Sequence, residues 1–127
     1  MKFALLFILS WLTISSIAQT EIKLEDVQNH IGDSVRLQAR IYGGKYLKPA
    51  KGSPTFLDVG GNYPNAPLTL VIWDDVRKQF RDAPEKAFKG MQVFITGKLF
   101  LYRDKPEIII SSPEQLVQVV AAPIEKQ

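Results

Sequence analysis

The sequence predicts an all-β domain with a minor helical part, and three observations support this prediction. Apolar and polar residues alternate with a period of two from Val35 to Tyr42, as a half-buried strand requires. Further segments rich in β-branched or aromatic residues follow, each bounded by turn-forming residues. Helical spacing is limited to short stretches. With 127 residues, 46% apolar content and no cysteine, the chain suits one domain that is stabilised by packing alone.

Residues 1–18 are typical of a secretory signal peptide. Lys2 precedes an apolar run from Ala4 to Ile17, and small residues at positions 16 and 18 favour cleavage after Ala18. An uncleaved membrane anchor is the alternative, but an anchor needs about 20 apolar residues. We therefore expect an exported protein, periplasmic or extracellular, with no membrane attachment after signal cleavage.

The order of the predicted elements narrows the fold. Apolar spacing over residues 24–31 predicts a short leading helix. A second helical segment, interrupted at Pro84, has Asp74 and Asp75 where an N-cap is wanted and Gly90 at its end. The remaining predicted elements are, in order, a strand from Ser34, a long loop over 43–54, strands at 55–59, 68–73, 92–102 and 106–110, and a short closing element over 113–120.

Five strands with a helix between the third and the fourth is the order of the OB-fold, a small, partly open Greek-key β-barrel. Gly97 in the fourth strand agrees with this order, since a barrel strand must bend sharply. We therefore expect a five-stranded OB-fold domain over residues 19–120, followed by a flexible tail over residues 121–127.

Six short segments also carry a resemblance to a known family. They are VQNHIGDSV at 27–35, GSPTFLDVG at 52–60, YPN at 63–65, LVIW at 70–73, VFITGK at 93–98 and YRDKPEI at 102–108. In this order they resemble the bacterial exported OB-fold nucleic-acid-binding domains, which occur alone behind signal peptides or fused to nuclease-like modules. The resemblance covers residues 24–119 and implies both the OB-fold and nucleic-acid binding.

Basic side chains are concentrated in one part of the chain. Between Ser34 and Leu57 there are five basic residues and no acidic one. In an OB barrel, the loop after the first strand and the loop between the fourth and fifth strands flank the binding face. Cations for phosphates beside aromatic faces for stacking suit single-stranded nucleic acid. The candidate nucleic-acid-binding residues are Arg40, Lys45, Tyr46, Lys48, Lys51, Phe56, Tyr63, Tyr102, Arg103 and Lys105.

Catalytic chemistry finds little support in the sequence. His30 is the only histidine and cysteine is absent, which excludes thiol catalysis and His-rich metal sites. Asp58 with Arg40 and Asp104 could suggest a divergent metal-dependent nuclease, but no paired carboxylate and arginine motif at neighbouring strand positions occurs. A helix cap explains Asp74 and Asp75 better than a metal site does. We therefore expect no enzyme activity, no cofactor and no bound metal.

Two interpretations of the function stay open. The first is a non-catalytic OB-fold module that binds single-stranded DNA or RNA through a basic and aromatic face. The second is an exported interaction module that binds a protein or an oligosaccharide, since OB-folds bind oligosaccharides too. The salt dependence of binding distinguishes the two interpretations, because phosphate contacts make the affinity fall steeply with ionic strength. The sequence favours neither DNA nor RNA and indicates no particular oligomeric state.

Overall fold

The computed structural model describes residues 19–120, which form a fold made mostly of β-sheet. The predicted signal peptide and the predicted flexible tail lie outside the described residues. The strands are β1 (Thr20–Glu21), β2 (Ser34–Tyr46), β3 (Thr55–Val59), β4 (Leu68–Ile72), β5 (Gln92–Tyr102), β6 (Lys105–Ile109) and β7 (Leu116–Gln118). The helices are α1 (Asp74–Arg77), α2 (Pro84–Ala87) and two 3₁₀ helices at Leu24–His30 and Pro113–Gln115.

Five of the strands pair with one another in a partial ring. β2 pairs with β3 and β3 with β4, both antiparallel. β4 then pairs parallel with β6, β6 pairs antiparallel with β5, and β5 returns to pair antiparallel with β2. Two short strands extend the sheet, because β1 pairs with β2 and β7 with β5. β1 was not predicted from the sequence, whereas β7 lies within the predicted closing element over 113–120. The prediction of an all-β fold with a minor helical part is confirmed.

The interior of the ring is filled by branched apolar side chains at alternate strand positions. Leu99 of β5 and Ile108 of β6 are cross-strand partners, and both are completely buried. Full burial of such a side chain stabilises the fold by about 1.5–3 kcal/mol. The short helices add to the same cluster, since Val27 of the first 3₁₀ helix and Val76 of α1 also pack into it. The helices are therefore stabilised by packing against the sheet, since helices this short are not stable alone.

β2 is longer than the sequence predicts. Residues 43–46, expected to open the long loop, continue the strand beyond a bulge between Ile41 and Gly43 and pair with β3. Gly44 allows the two strands to approach, because a Cβ there would lie 2.5 Å from the carbonyl oxygen of Phe56. The loop is thereby reduced to residues 47–54.

The helical segments were predicted in the right places but with a different form. The leading helix is a 3₁₀ helix, and the second segment is divided into α1 and α2 at the predicted break, with Pro84 in the first turn of α2. Trp73, not Asp74, is the N-cap residue of α1. Asp74 lies inside the helix, and its carboxylate accepts a hydrogen bond from the Tyr46 hydroxyl at 3.0 Å.

Arg77 connects α1 to α2 and to β3 through hydrogen bonds. Its guanidinium donates two hydrogen bonds to the Glu85 carboxylate and one to the Thr55 hydroxyl at 2.7 Å. It also lies over the Tyr46 ring, 3.6 Å from the centroid. The hydrogen bond from Arg77 lowers the pKa of Glu85. Because both charged side chains of this pair are largely buried, each depends on the other for compensation.

Gly97 marks a close approach between β5 and β6. A Cβ at this position would lie 2.5 Å from Cγ2 of Ile108 and 3.0 Å from Nε2 of Gln115. Ile108 is completely buried, and protein interiors are close-packed. Close packing therefore requires glycine at this point of the ring.

We expect Gly97→Ala to lower the free energy of unfolding by about 1–3 kcal/mol, because the added methyl group overpacks the core at Ile108 and because residues with a Cβ rarely adopt the φ of 155° found at Gly97. Urea unfolding followed by tryptophan fluorescence measures the change. Gly43→Ala is the matched control, since a Cβ there has no atom within 4 Å. Its effect should stay within about 1 kcal/mol. Equal losses in both variants would contradict the role given to this contact.

Candidate ligand-binding groove

A groove of about 550 Å³ crosses the outer face of β3, β4 and β6. It is bounded by the end of β2 and by the connection between β3 and β4. Its charged and aromatic lining residues are Lys45, Phe56, Asp58, Tyr63, Lys105 and Glu107. We refer to this feature as the outer groove.

Strand alternation and register bring the polar residues of the floor together. Leu57 of β3 is buried in the core, so its neighbours Phe56 and Asp58 face outward. Asp58 pairs with Thr69 of β4, and Thr69 pairs with Glu107 of β6. These three side chains form one polar row across three strands.

A second row, displaced by two residues on each strand, is mainly apolar. Phe56 pairs with Lys45 on one side and with Val71 on the other, and Val71 pairs with Ile109. Val71 is only 4% exposed, whereas Phe56 is half-buried and Ile109 is exposed. Of this second row only Lys45 and Phe56 line the outer groove, so the polar row of the floor is bordered by one cation and one aromatic ring.

Two lysines lie at the rim of the outer groove. Lys45 and Lys105 are both exposed, and the Lys105 ammonium group donates a long hydrogen bond of 3.4 Å to the Pro64 carbonyl. Lys105 begins β6 directly after a tight turn, in which Arg103 and Asp104 both have positive φ. Such a two-residue turn fixes the register of the hairpin and hence the position of Lys105.

Asp58 and Glu107 carry half-buried carboxylates. Burial raises the pKa of both side chains above the ordinary values of 3.8 and 4.5. Among residues 19–120, neither carboxylate takes part in a side-chain hydrogen bond or an ion pair. Their oxygens are not sealed from solvent, since the described residues contain no fully buried side-chain oxygen without a partner. The two carboxylates are therefore free acceptors that face the groove.

Four of the ten residues predicted to bind nucleic acid line the outer groove: Lys45, Phe56, Tyr63 and Lys105. Two of them are cations and two are aromatic. Tyr63 is 82% exposed, so its ring is held out from the connection between β3 and β4. The structure thus brings together both chemical types that the prediction required.

Tyr46, Lys48 and Lys51 lie outside the outer groove. The Tyr46 hydroxyl is bound to Asp74 and its ring is covered by Arg77, so its packing is already satisfied. The hydrogen bond from Tyr46 lowers the pKa of Asp74. Lys48 borders a separate shallow depression next to Tyr46, and Lys51 is exposed in the same loop.

Arg40, Tyr102 and Arg103 are exposed but do not line the outer groove. The Arg40 guanidinium lies 5.9 Å from the centroid of the Tyr42 ring, and that of Arg103 lies 5.3 Å from the centroid of the Tyr102 ring. Tyr102 pairs with Lys105, so Tyr102 and Arg103 are next to the rim.

Thr69 and Glu107 were not predicted as site residues from the sequence, and Asp58 was considered only for a nuclease site. A signal for the two acids was present, because each is a charged residue in a short and otherwise apolar strand, in FLDV at 56–59 and PEII at 106–109. Alternation alone places both on the outward face. Their convergence depends on the parallel pairing of β4 with β6, which no local pattern reveals.

No protein-family model matches the chain, and a search among curated proteins finds no match. Among solved structures, the chain is similar to the crystal structure of a putative aspartyl-tRNA synthetase from Leishmania major Friedlin, with a TM-score of 0.50 and 9% sequence identity. The similarity covers 87% of this chain and 23% of that one, so this chain spans about a quarter of that protein. At this identity the likeness shows the fold alone.

Two further observations apply to residues 19–120 only. No group of three or more His, Asp and Glu side chains in this range is placed to hold a metal ion. None of its helices is long and apolar enough to cross a membrane.

We expect Asp58→Asn and Glu107→Gln each to raise the free energy of unfolding at pH 7, by at most about 1 kcal/mol, because an uncharged amide avoids the desolvation of a carboxylate. Solvent in the groove keeps the gain small. A pKa raised by folding stabilises the wild-type protein below the unfolded-state pKa of about 4. This contribution is lost as pH rises through the folded-state pKa.

The advantage of both variants should therefore be absent near pH 3.5 and grow towards pH 7. Urea unfolding at several pH values in this range measures it. Asp82→Asn serves as the control, since Asp82 is exposed and does not line the outer groove. If the advantage of the groove variants were the same at every pH, the burial of these carboxylates would not be its cause.

Proposed function

We propose that this protein is a non-catalytic OB-fold module that binds single-stranded nucleic acid in the outer groove. The observation that carries the proposal is the presence in one groove of two exposed lysines and two aromatic rings. Single-stranded nucleic acid binds where cations neutralise phosphates and aromatic faces stack on bases. Lys45 and Lys105 would supply the cations, and Phe56 and Tyr63 would supply the aromatic faces. The proposed function requires neither a cofactor nor a metal.

The OB-fold assignment is part of this proposal. The ring order β2-β3-β4-β6-β5, with β5 back on β2, supports a five-stranded Greek-key barrel that β1 and β7 extend. The outer groove lies on the second and third strands of this ring, the face on which OB-folds bind oligonucleotides. The similar synthetase structure supports the fold, and the tRNA in its printed name is compatible with a nucleic-acid ligand.

Export is a further part of the proposal and rests on the sequence of residues 1–18. Membership of the bacterial exported OB-fold family rests on the six segments named above. An exported module of this kind would meet its ligand in the periplasm or outside the cell.

An oligosaccharide is the second candidate ligand, and one observation favours it. Asp58, Thr69 and Glu107 form a row of acceptors beside Phe56 and Tyr63. Hydroxyl groups of a sugar can donate to carboxylates while its apolar face packs on an aromatic ring. Binding of a neutral sugar would not depend on Lys45 or Lys105, so the two candidates differ in their response to salt.

We expect the protein to bind a fluorescent single-stranded oligonucleotide with an affinity that falls steeply with salt. Replacing Lys45 and Lys105 together by alanine should reduce the log–log slope by about 1.4, because each phosphate contact on a single strand contributes about 0.7. Fluorescence anisotropy across a salt series measures both quantities. A neutral polysaccharide tested in parallel addresses the second candidate.

Two double variants serve as controls in the salt series. Lys23 and Lys98 are exposed and do not line the outer groove, so their replacement by alanine removes the same charge without changing the slope. Lys48→Ala with Lys51→Ala tests the loop that the sequence favoured. If this loop variant flattened the slope and the groove variant did not, the proposed site would be wrong. Salt-independent binding of the polysaccharide alone would favour the second candidate.

Tyr63→Ala should weaken oligonucleotide binding by about tenfold, since base stacking on an aromatic ring contributes about 1–3 kcal/mol. Its fold stability should be unchanged, because the side chain is 82% exposed. Tyr42→Ala is the matched control, an exposed tyrosine that does not line the outer groove. Titration by anisotropy, with thermal unfolding alongside, distinguishes a lost stacking contact from a lost fold. Equal affinity of Tyr63→Ala and wild type would remove this ring from the site.

A further inference from the structure

The floor and the rim of the outer groove carry opposite charge. Asp58 and Glu107 lie in the floor, whereas Lys45 and Lys105 are exposed at the rim. A phosphate in the floor would face two carboxylates in a partly desolvated space, where repulsion is stronger than in bulk water. The phosphates of a bound strand must therefore lie along the rim, and its bases must face the floor.

The floor presents acceptors without partners. Both carboxylates are free of hydrogen bonds and ion pairs among residues 19–120, and an ionised carboxylate can only accept. A ligand group that covers them without donating would leave desolvated acceptors unsatisfied, which is strongly unfavourable. The floor therefore favours ligand edges that carry N–H donors.

We propose that Asp58 and Glu107 make the outer groove select bases with exocyclic amino groups, cytosine among them, over thymine and uracil. This inference rests on the proposed function. Carboxylates accept from the N4 amino group of cytosine. Thymine and uracil have instead one ring N–H between two carbonyl oxygens, and those oxygens face the carboxylates as like partial charges.

The spacing of the two acids fits a strand rather than a single base. Asp58 and Glu107 are separated by β4, which is two strand spacings or about 10 Å between their backbones. Each carboxylate can therefore meet a different base of an extended strand. Thr69 lies between them, and its hydroxyl can donate or accept, so it does not discriminate between bases.

The test compares labelled dC12 and dT12, two pyrimidine strands of equal charge, by anisotropy at pH 7.5 and constant salt. The wild-type protein should bind dC12 about tenfold more tightly, the lower part of the range for a good base contact. Asp58→Asn combined with Glu107→Gln should bring the ratio close to one, because each amide can donate as well as accept. Most of that change should come from tighter binding of dT12. Asp82→Asn is the matched control and should keep the tenfold ratio.

The outcomes separate this inference from the proposed function. Equal affinity of the wild type for dC12 and dT12, with a salt slope that still depends on Lys45 and Lys105, would overturn the base preference and leave the proposed function standing. A cytosine preference that survives in the double variant would overturn the role of the two carboxylates. Binding of the neutral polysaccharide in place of both strands would overturn the proposed function, and the inference with it.

Discussion

The pairing of β5 with β2, which completes the partial ring, is the constraint on which the rest of the structure depends. It commits one face of each ring strand to the interior, where Leu37, Leu57 and Ile95 are buried with their neighbours. Because strand side chains alternate, this choice also decides which residues face outward. The outer groove is therefore a consequence of core formation. A slip of one residue in β3 would place Asp58 in the core and Leu57 in solvent.

The parts of the fold that could be predicted from the sequence are those with local signals. β3 and β5 have the predicted bounds, since alternation and flanking turn residues mark both ends. β2 was predicted too short, because Gly43 and Gly44 are typical of a loop and their strand pairing is visible only from β3. β1 and β7 are two or three residues long and owe their extended form to a neighbouring strand. Such non-local pairing leaves no periodic pattern.

The types of residue in the candidate site could be predicted from the sequence, but not all of the particular residues could. Composition indicated cations beside aromatic rings, and Lys45, Phe56, Tyr63 and Lys105 do lie together. Tyr46 was counted with them because it is next to Lys45. Neighbours on a strand face opposite sides, and the side of Tyr46 is occupied by Arg77 and Asp74. The partners of Tyr46 are decided by the packing of α1 and α2, which cannot be predicted from the residues next to Tyr46 in the sequence.

The fold does not need the two unpaired carboxylates, Asp58 and Glu107, so their presence is better explained by a ligand. Their outward positions on β3 and β6 would accept threonine or valine with better strand propensity and without the desolvation of a charge. Neither acid supports the fold through an ion pair with Lys45 or Lys105, so the lysines at the rim stay available. A groove with acids in its floor and cations at its edge is mismatched to a free anion. The proposed ligand, a single strand with its bases turned inward, would instead keep its charges at the rim and turn its donor groups towards the acids.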